Sequence, residues 1–164
     1  MANLEHDIRY SEETDLPYLT KWLSDPEDLQ YYPMSSEKEI ELGAKNWIGF
    51  SKYKCSLTAL VDKKPCGIAT LYLMPYKKVS HHCLFYMIVG KEYRRKGIGS
   101  SLLKNLLNLG QKFFLLESMH AEVYEGSPIL PLLKKKGFSD FAVQEHFIKL
   151  DNKYLSRTLL EYVF

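Results

Sequence analysis

Apolar residues recur at every second position in some stretches of the chain and at every third or fourth in others, and the switching between these two periods predicts the elements. Asp7 to Ser11 reads as a short first strand. Leu16, Leu19, Trp22 and Leu23 mark one face of a helix capped by Thr14-Asp15, with Pro17 in its first turn and Asp25-Pro26 as its stop. After a loop at Leu29 to Met34, Ser36 and Glu39 make a capping box for a second helix with the stripe Ile40, Ala44, Trp47 and Ile48. Cys55, Leu57, Ala59 and Val61 alternate with polar residues, Lys63-Lys64-Pro65 turns the chain, and Cys66 to Met74 is more continuously apolar, so the pair predicts a hairpin. His81 to Val89 is the next strand, followed by a helix with Ile98, Leu102, Leu106, Leu109 and Phe113 on one face. Leu115 to Tyr124 is a further strand. Ser127-Pro128 opens a short helix that Gly137 stops after Lys136. Phe138 to Leu150 and Tyr154 to Phe164 close the chain as two strands joined at Asp151-Asn152-Lys153.

Strands joined through a helix form a crossover, so His81 to Val89 and Leu115 to Tyr124 are expected to run parallel. The turn between the first of them and its helix then sits at the carboxyl edge of the sheet, where ligands of α/β sheets bind. That turn carries Arg94, Arg95 and Lys96 in a row and two glycines, Gly97 and Gly99. The first N–H groups of a helix have no intrahelical partner and lie at the positive end of its dipole, so the turn attracts anions. The glycines let an anion approach the backbone, and arginine binds phosphate through a fork. The inferred target is a pyrophosphate or comparable multi-anion. The stretch is not a nucleoside-triphosphate P-loop, because no Gly-x-x-x-x-Gly-Lys-Ser/Thr occurs, and Gly97-Ile98-Gly99-Ser100 lacks the third glycine of a dinucleotide fingerprint.

Length and composition add bounds. At 164 residues the chain is expected to form one domain, 1–164, and 46% hydrophobic with 26% charged residues suits a globular core. A net charge of +2 gives no electrostatic case for nucleic acid or membrane as partner. Cys55, Cys66 and Cys83 are odd in number without C-x-x-C spacing and read as free thiols in a reducing compartment. No stretch approaches the ~18 uninterrupted apolar residues of a membrane span, and Met1 to Tyr10 is too polar for a signal peptide, so a cytoplasmic location is expected. His81, His82 and Cys83 cannot share a metal, since adjacent strand residues face opposite ways, and no metal site is expected.

Arg94-Arg95-Lys96-Gly97-Ile98-Gly99 fits Arg/Gln-x-x-Gly-x-Gly/Ala and resembles the coenzyme A pyrophosphate loop of the GNAT superfamily of N-acetyltransferases. The predicted order β-α-α-β-β-β-α-β-α-β-β is the GNAT order. A second segment, Glu122-Val123-Tyr124-Glu125-Gly126-Ser127-Pro128 through Leu132-Leu133-Lys134-Lys135-Lys136-Gly137-Phe138, is similar to the family's Glu-Val-Tyr-x-x-Asn and Leu-Tyr-x-Lys-x-Gly-Phe elements. The resemblance implies an α/β fold with a mixed, mostly antiparallel sheet of about seven strands and four helices, whose central parallel strand–helix–strand unit splays to hold the coenzyme. It implies acetyl-CoA as cosubstrate and an amine acceptor as partner, with the protein a monomer or homodimer.

The same resemblance implies roles. The pantetheine arm pairs with backbone groups of Met87, Ile88 and Val89, and the pyrophosphate sits on amides of Arg95 to Ser100, with the side chains of Arg94, Arg95 and Lys96 near it. The amine must lose a proton before it attacks the acetyl carbonyl. Where relatives often carry a glutamate this chain has Cys83 and Leu84, leaving His81, His82, Tyr86, Glu122 and Tyr124 as base candidates. The family tyrosine that protonates the leaving thiolate is replaced by Leu133, and the family asparagine by Ser127, so Tyr124, Ser127 or water stands in, or the thiolate leaves unaided. Tyr31, Tyr32, Met34 and Trp47 are placed before the thioester as acceptor-binding candidates, and Glu27, Asp28 and Glu37 would suit a cationic acceptor. Direct acetyl transfer to a primary amine of a small molecule or a protein α-amine is the leading expectation. A coenzyme A or acyl-CoA sensor domain with weak or no turnover is the alternative, motivated by Leu133 and by the missing carboxylate at Cys83 and Leu84.

Overall fold

The computed structural model describes residues 3–164, so Met1 and Ala2, the start of the polar N-terminal stretch, lie outside the described residues. The chain forms β1 (Asp7–Tyr10), α1 (Leu16–Leu23), α2 (Pro26–Leu29), α3 (Glu37–Ile48), β2 (Ser56–Val61), β3 (Lys64–Leu73), β4 (His82–Val89), α4 (Ile98–Lys112), β5 (Ser118–Tyr124), α5 (Leu130–Lys135), β6 (Ser139–Leu150) and β7 (Lys153–Val163). The strands make one seven-stranded sheet in the order β1-β2-β3-β4-β5-β7-β6. Every neighbouring pair is antiparallel except β4 and β5, which run parallel. This is the mixed, mostly antiparallel sheet with a central parallel crossover that the sequence predicts.

The two faces follow the period-2 alternation. Phe85 and Met87 of β4 and Ala121 and Val123 of β5 pack with Ile98, Leu102 and Leu106 of α4 and with Leu133 of α5. Ile88 of β4 and Ile68 of β3 face the other way, against Leu19 and Leu23 of α1 and Ala44, Trp47 and Ile48 of α3. β3 is covered on both faces, which explains its nearly unbroken apolar run.

The capping box at Ser36 and Glu39 forms as expected. The hairpin turn of β2 and β3 holds Asp62 and Lys63 at φ 48° and 66°, the twist a two-residue hairpin favours. Five expectations need correction. Asp25 stops α1 but also starts α2, its carboxylate accepting from the Glu27 amide at 2.9 Å, so the described residues form five α-helices rather than four. Asp15 does not cap α1 with its side chain; Arg9 and Thr58 take that carboxylate instead. β5 begins at Ser118, not Leu115, because Leu115 sits at φ 52° and the Leu116 amide turns back to the Gly110 carbonyl at 3.0 Å. α5 begins at Leu130, since two turns precede it: the Ser127 amide bonds the Tyr124 carbonyl at 3.0 Å, and the Leu130 amide bonds the Ser127 carbonyl at 3.4 Å. Phe113 is also misplaced by the stripe. It ends α4 in an exposed position, and Gly110 continues the buried face beside Met119.

Candidate active site

Backbone pairing between β4 and β5 is confined to His82 with Ser118, Cys83 with Met119 and Leu84 with His120. Beyond that register the strands part. Residues 85–89 stay paired with β3 and residues 121–124 with β7, so each strand turns one unpaired edge into the gap. The gap opens into a cleft of about 620 Å³ lined by both strands, the turn after β4, the start of α5 and the segment after α2. The hydrogen-bonding edge of a strand left without a neighbour is a site for an extended, amide-bearing ligand.

At the upper end of the gap stands the glycine turn. Arg95 and Gly97 are both left-handed, at φ 61° and 86°, and the first bond of α4 runs from the Ser101 amide to the Gly97 carbonyl at 3.0 Å. The preceding amides therefore curl together without helical partners, a concavity suited to oxyanions. An added Cβ at Gly97 would come within 2.6 Å of Asn3 Oδ1, a side-chain end that can move, so glycine is favoured there chiefly by its positive φ. At Gly99 a Cβ would meet Leu132, Met87 and Val89 at 3.5–3.7 Å, at the wall of the gap.

The three cations differ. Arg94 turns inward, with Nε donating to the Val89 carbonyl at 2.8 Å and a terminal nitrogen donating to Asp28 Oδ2 at 2.7 Å. Lys96 donates to the Glu92 carbonyl at 2.7 Å. Arg95 lines the cleft and, among the described residues, makes no side-chain hydrogen bond or ion pair.

At the lower end of the gap the side chains of Tyr86 and Glu122 bridge the two strands. Their separation of 36 residues continues the offset of the backbone pairs below them, so this hydrogen bond extends the register after the main chains have parted. Tyr86 donates its hydroxyl to Glu122 Oε1. Arg157 of β7 donates to Oε2 at 2.5 Å, and Glu122 is nearly buried, with 11% of its side chain exposed. Arg157 is itself held by Gln144 Oε1 at 3.1 Å and by the Phe147 ring, whose centroid lies 3.7 Å away. Burial first, then the hydrogen bond and charge of Glu122, raise the Tyr86 phenol far above its ordinary value. Burial and the Glu122 charge push Tyr124 up to about 12. Both tyrosines are protonated phenols at neutral pH.

Tyr31 and Tyr32 line the cleft beside Asp28 and Pro33. Tyr32 donates to the Met87 carbonyl at 3.3 Å and packs 6.2 Å from the Trp47 ring, which lies 5.9 Å from Tyr86. The Trp47 indole donates to Thr70 Oγ1 at 2.8 Å and is fixed from behind. The result is an aromatic wall.

Of the residues singled out in the sequence, Met87, Ile88, Val89, Arg94, Arg95, Gly97, Gly99, Ser100, Tyr31, Tyr32, Tyr86, Tyr124 and Ser127 meet in this cleft. Lys96 and Ile98 do not line it, Lys96 being folded onto the backbone and Ile98 buried in the core. His82 lies outside it, in a second hollow of about 280 Å³ with His120, Phe141 and Arg157. Burial and the adjacent His120 and His81 rings hold its pKa below the ordinary value. Glu27 and Asp28 are not free acids, since Lys91 and Arg94 pair with them. Sequence reasoning missed the prominence of Glu122 and the whole of Arg157. A signal for Glu122 was present, because it occupies the β5 position opposite Tyr86 in a parallel register.

An antiparallel sheet with one parallel pair that parts beneath a glycine turn defines an acetyltransferase fold. The same fold is seen in an acetyltransferase from Streptococcus pneumoniae, 22% identical over 98% of this chain and 100% of that one, with a TM-score of 0.76. It recurs in the ribosomal-protein-alanine N-acetyltransferase of Brucella melitensis, 20% identical over 96% and 99%, TM-score 0.76. It recurs again in yncA of Salmonella typhimurium, solved with its cofactor acetyl-CoA, 14% identical over 97% and 94%, TM-score 0.79. At these identities the likeness is one of fold. Residues 12–138 match the Acetyltransferase (GNAT) family, and the chain belongs to it. The cosubstrate of that family is acetyl-CoA, and the site fits it: an unpaired strand edge for an amide-bearing arm and a left-handed turn with Arg95 for a diphosphate. Among the described residues no group of three or more His, Cys, Asp or Glu side chains is placed to hold a metal ion, and no helix is long and apolar enough to cross a membrane.

Proposed function

We propose that the chain is an N-acetyltransferase that moves an acetyl group from acetyl-CoA directly to a primary amine, of a small molecule or of a protein α-amine. The observation that carries this reading is the continuity of the cleft, from the glycine turn along the open edge of β4 to the Tyr86–Glu122 bridge. Bound acetyl-CoA supplies an acetyl thioester with a thiolate leaving group. The amides of residues 95–100 and the Arg95 guanidinium hold the diphosphate. The edge of Met87, Ile88 and Val89 orients the arm and supplies an N–H toward the carbonyl oxygen.

Glu122 is the carboxylate of the cleft in a position to take a proton, and Tyr86 is its link to the acceptor. The Tyr86 phenol is too weak an acid to ionise by itself. It relays the proton: the amine's proton passes to the Tyr86 oxygen as the phenol's own proton passes to Glu122, and Arg157 holds the carboxylate in place. The aromatic wall of Tyr31 and Tyr32 gives the acceptor a flat apolar surface. Ser127 and Tyr124 stand at the end of β5 as hydrogen-bond donors to the departing sulfur. His82, outside the cleft, takes no part in this scheme.

One observation favours the sensor reading. Leu133 is fully buried in the core, so the position of the family tyrosine offers no proton donor. The discriminating experiment pairs calorimetric CoA binding with thiol release across a panel of primary amines. Binding with amine-dependent release and an acetylated product supports the transferase. Binding with no product from any amine turns the reading to the sensor, and no binding removes both.

A further inference from the structure

Building on the coenzyme reading of the glycine turn, we infer that Arg94 is a positioning residue that fastens the acceptor wall to that turn, and not a ligand of the diphosphate. Its guanidinium is already engaged. Nε is on the Val89 carbonyl at 2.8 Å and a terminal nitrogen is on Asp28 at 2.7 Å, and that carboxylate is only 6% exposed while the Arg94 side chain is 30% exposed. A charge as buried as Asp28 must keep its partner, because losing it leaves the carboxylate uncompensated in a site with little water. Releasing Arg94 to a phosphate would do so. Arg95, with no partner among the described residues, carries no such obligation.

Two further links run in step with this one. Lys91 pairs with Glu27 at 2.5 Å, and Tyr32 reaches the Met87 carbonyl at 3.3 Å. Residues 27, 28 and 32 on the acceptor side are thus tied to residues 91, 94 and 87 on the coenzyme side. The Lys91–Glu27 pair is exposed and contributes little. Arg94 alone bonds both the open edge of β4, through Val89, and α2, through Asp28. When the turn closes on a diphosphate, its backbone can move only with α2 and the tyrosines that follow. Coenzyme binding therefore orders the acceptor wall, and by linkage an ordered wall strengthens coenzyme binding.

The test compares Arg95→Ala with the double variant Asp28→Asn/Arg94→Gln, which swaps the ion pair for a neutral amide pair and avoids a buried unpaired charge. CoA affinity is measured by calorimetry, and amide hydrogen exchange of residues 27–29 is measured with and without saturating CoA. In the unaltered protein CoA is expected to slow exchange there. The double variant is expected to keep CoA affinity within about threefold and lose that protection, whereas Arg95→Ala loses tenfold or more in affinity and, at saturating CoA, retains it. A tenfold or greater loss of affinity in the double variant, or protection that survives in it, overturns the inference. If Arg95→Ala leaves CoA affinity untouched, the coenzyme reading of the turn fails, and the role of Arg94 falls with it.

Discussion

Gly97→Ala tests the turn most directly. At φ 86° the residue is in the left-handed region, where an L side chain costs about 1–2 kcal/mol. The new Cβ would meet Asn3 Oδ1 at 2.6 Å, but that side-chain end can swing aside and adds little. The expected loss of stability is therefore about 1–2 kcal/mol, or roughly 2–8 °C in Tm for a chain of this size. The variant relieves its strain by rotating φ, which turns neighbouring amides away from the concavity. Losing one hydrogen bond from those amides to a charged group costs about 1.5–3 kcal/mol, roughly a 10- to 100-fold loss of CoA affinity. Gly137→Ala is the matched control. Gly137 has φ 98°, its Cβ would lie 3.3 Å from the Tyr162 ring, and it does not line the cleft. Scanning calorimetry should give the two variants similar losses in Tm, and titration calorimetry should give a CoA defect in Gly97→Ala only. Equal affinities in the two variants would refute the assignment of the turn.

Glu122→Gln removes the carboxylate but keeps its shape. Thiol release with a productive amine is expected to fall by about 10²–10⁴-fold, the usual contribution of a general base, with CoA affinity within threefold of the parent. Burial alone would raise the Asp15 carboxyl, but bonds from Arg9, the Glu12 amide and Thr58 hold it below its ordinary value. Its stabilising contribution is thus present above the unfolded carboxyl value near ~3.9 and lost as pH falls through the lower folded value; circular dichroism should show Asp15→Asn less stable at pH 7 and less sensitive to acid. Burial pushes the Cys55 and Cys66 thiols up to about 11 and Cys83 up to about 12, so a disulfide reagent at pH 8 should label none of them in the native protein and all three in denaturant.

What could be read from the sequence was what is local. The capping box at Ser36 and Glu39, the hairpin at Lys63 and the stop at Gly137 each need only a few neighbours, and each forms. The glycine turn was legible as a turn between a buried strand and a helix because the three follow one another along the chain. The parallel pairing of β4 and β5 followed from the crossover between them. The direction of each cation was not legible. Arg94 finds Asp28 at a separation of 66 residues and Glu122 finds Arg157 at 35, and such pairings depend on which edges the sheet brings together. His82 was attractive by residue type, yet it sits where β4 and β5 are still paired, below the point at which a cleft opens. The helix boundaries at Asp25 and Ser127 failed over proline: Pro26 stops α1 but also opens α2, and it is Pro131, not Pro128, that falls in the first turn of α5.

Leu133 leaves the proton for the departing thiolate unassigned, and the phenol nearest in role, Tyr124, is a poor source of it. Burial and the Glu122 charge hold that phenol at about 12, whereas a thiol titrates near ~8.5. Full proton transfer from Tyr124 to the sulfur would be uphill by about 5 kcal/mol, at 1.36 kcal/mol per unit. The same figures show that the sulfur needs little help, because a thiolate of this basicity is a competent leaving group at neutral pH. Tyr124 can still donate a hydrogen bond, and the proton then comes from water. Tyr124→Phe is therefore expected to lower thiol release by no more than about tenfold, the worth of one hydrogen bond, while Glu122→Gln lowers it far more. A loss for Tyr124→Phe as large as that for Glu122→Gln, with CoA affinity intact, would show that the phenol does deliver its proton and that its acidity in the loaded site is much greater than its surroundings here dictate.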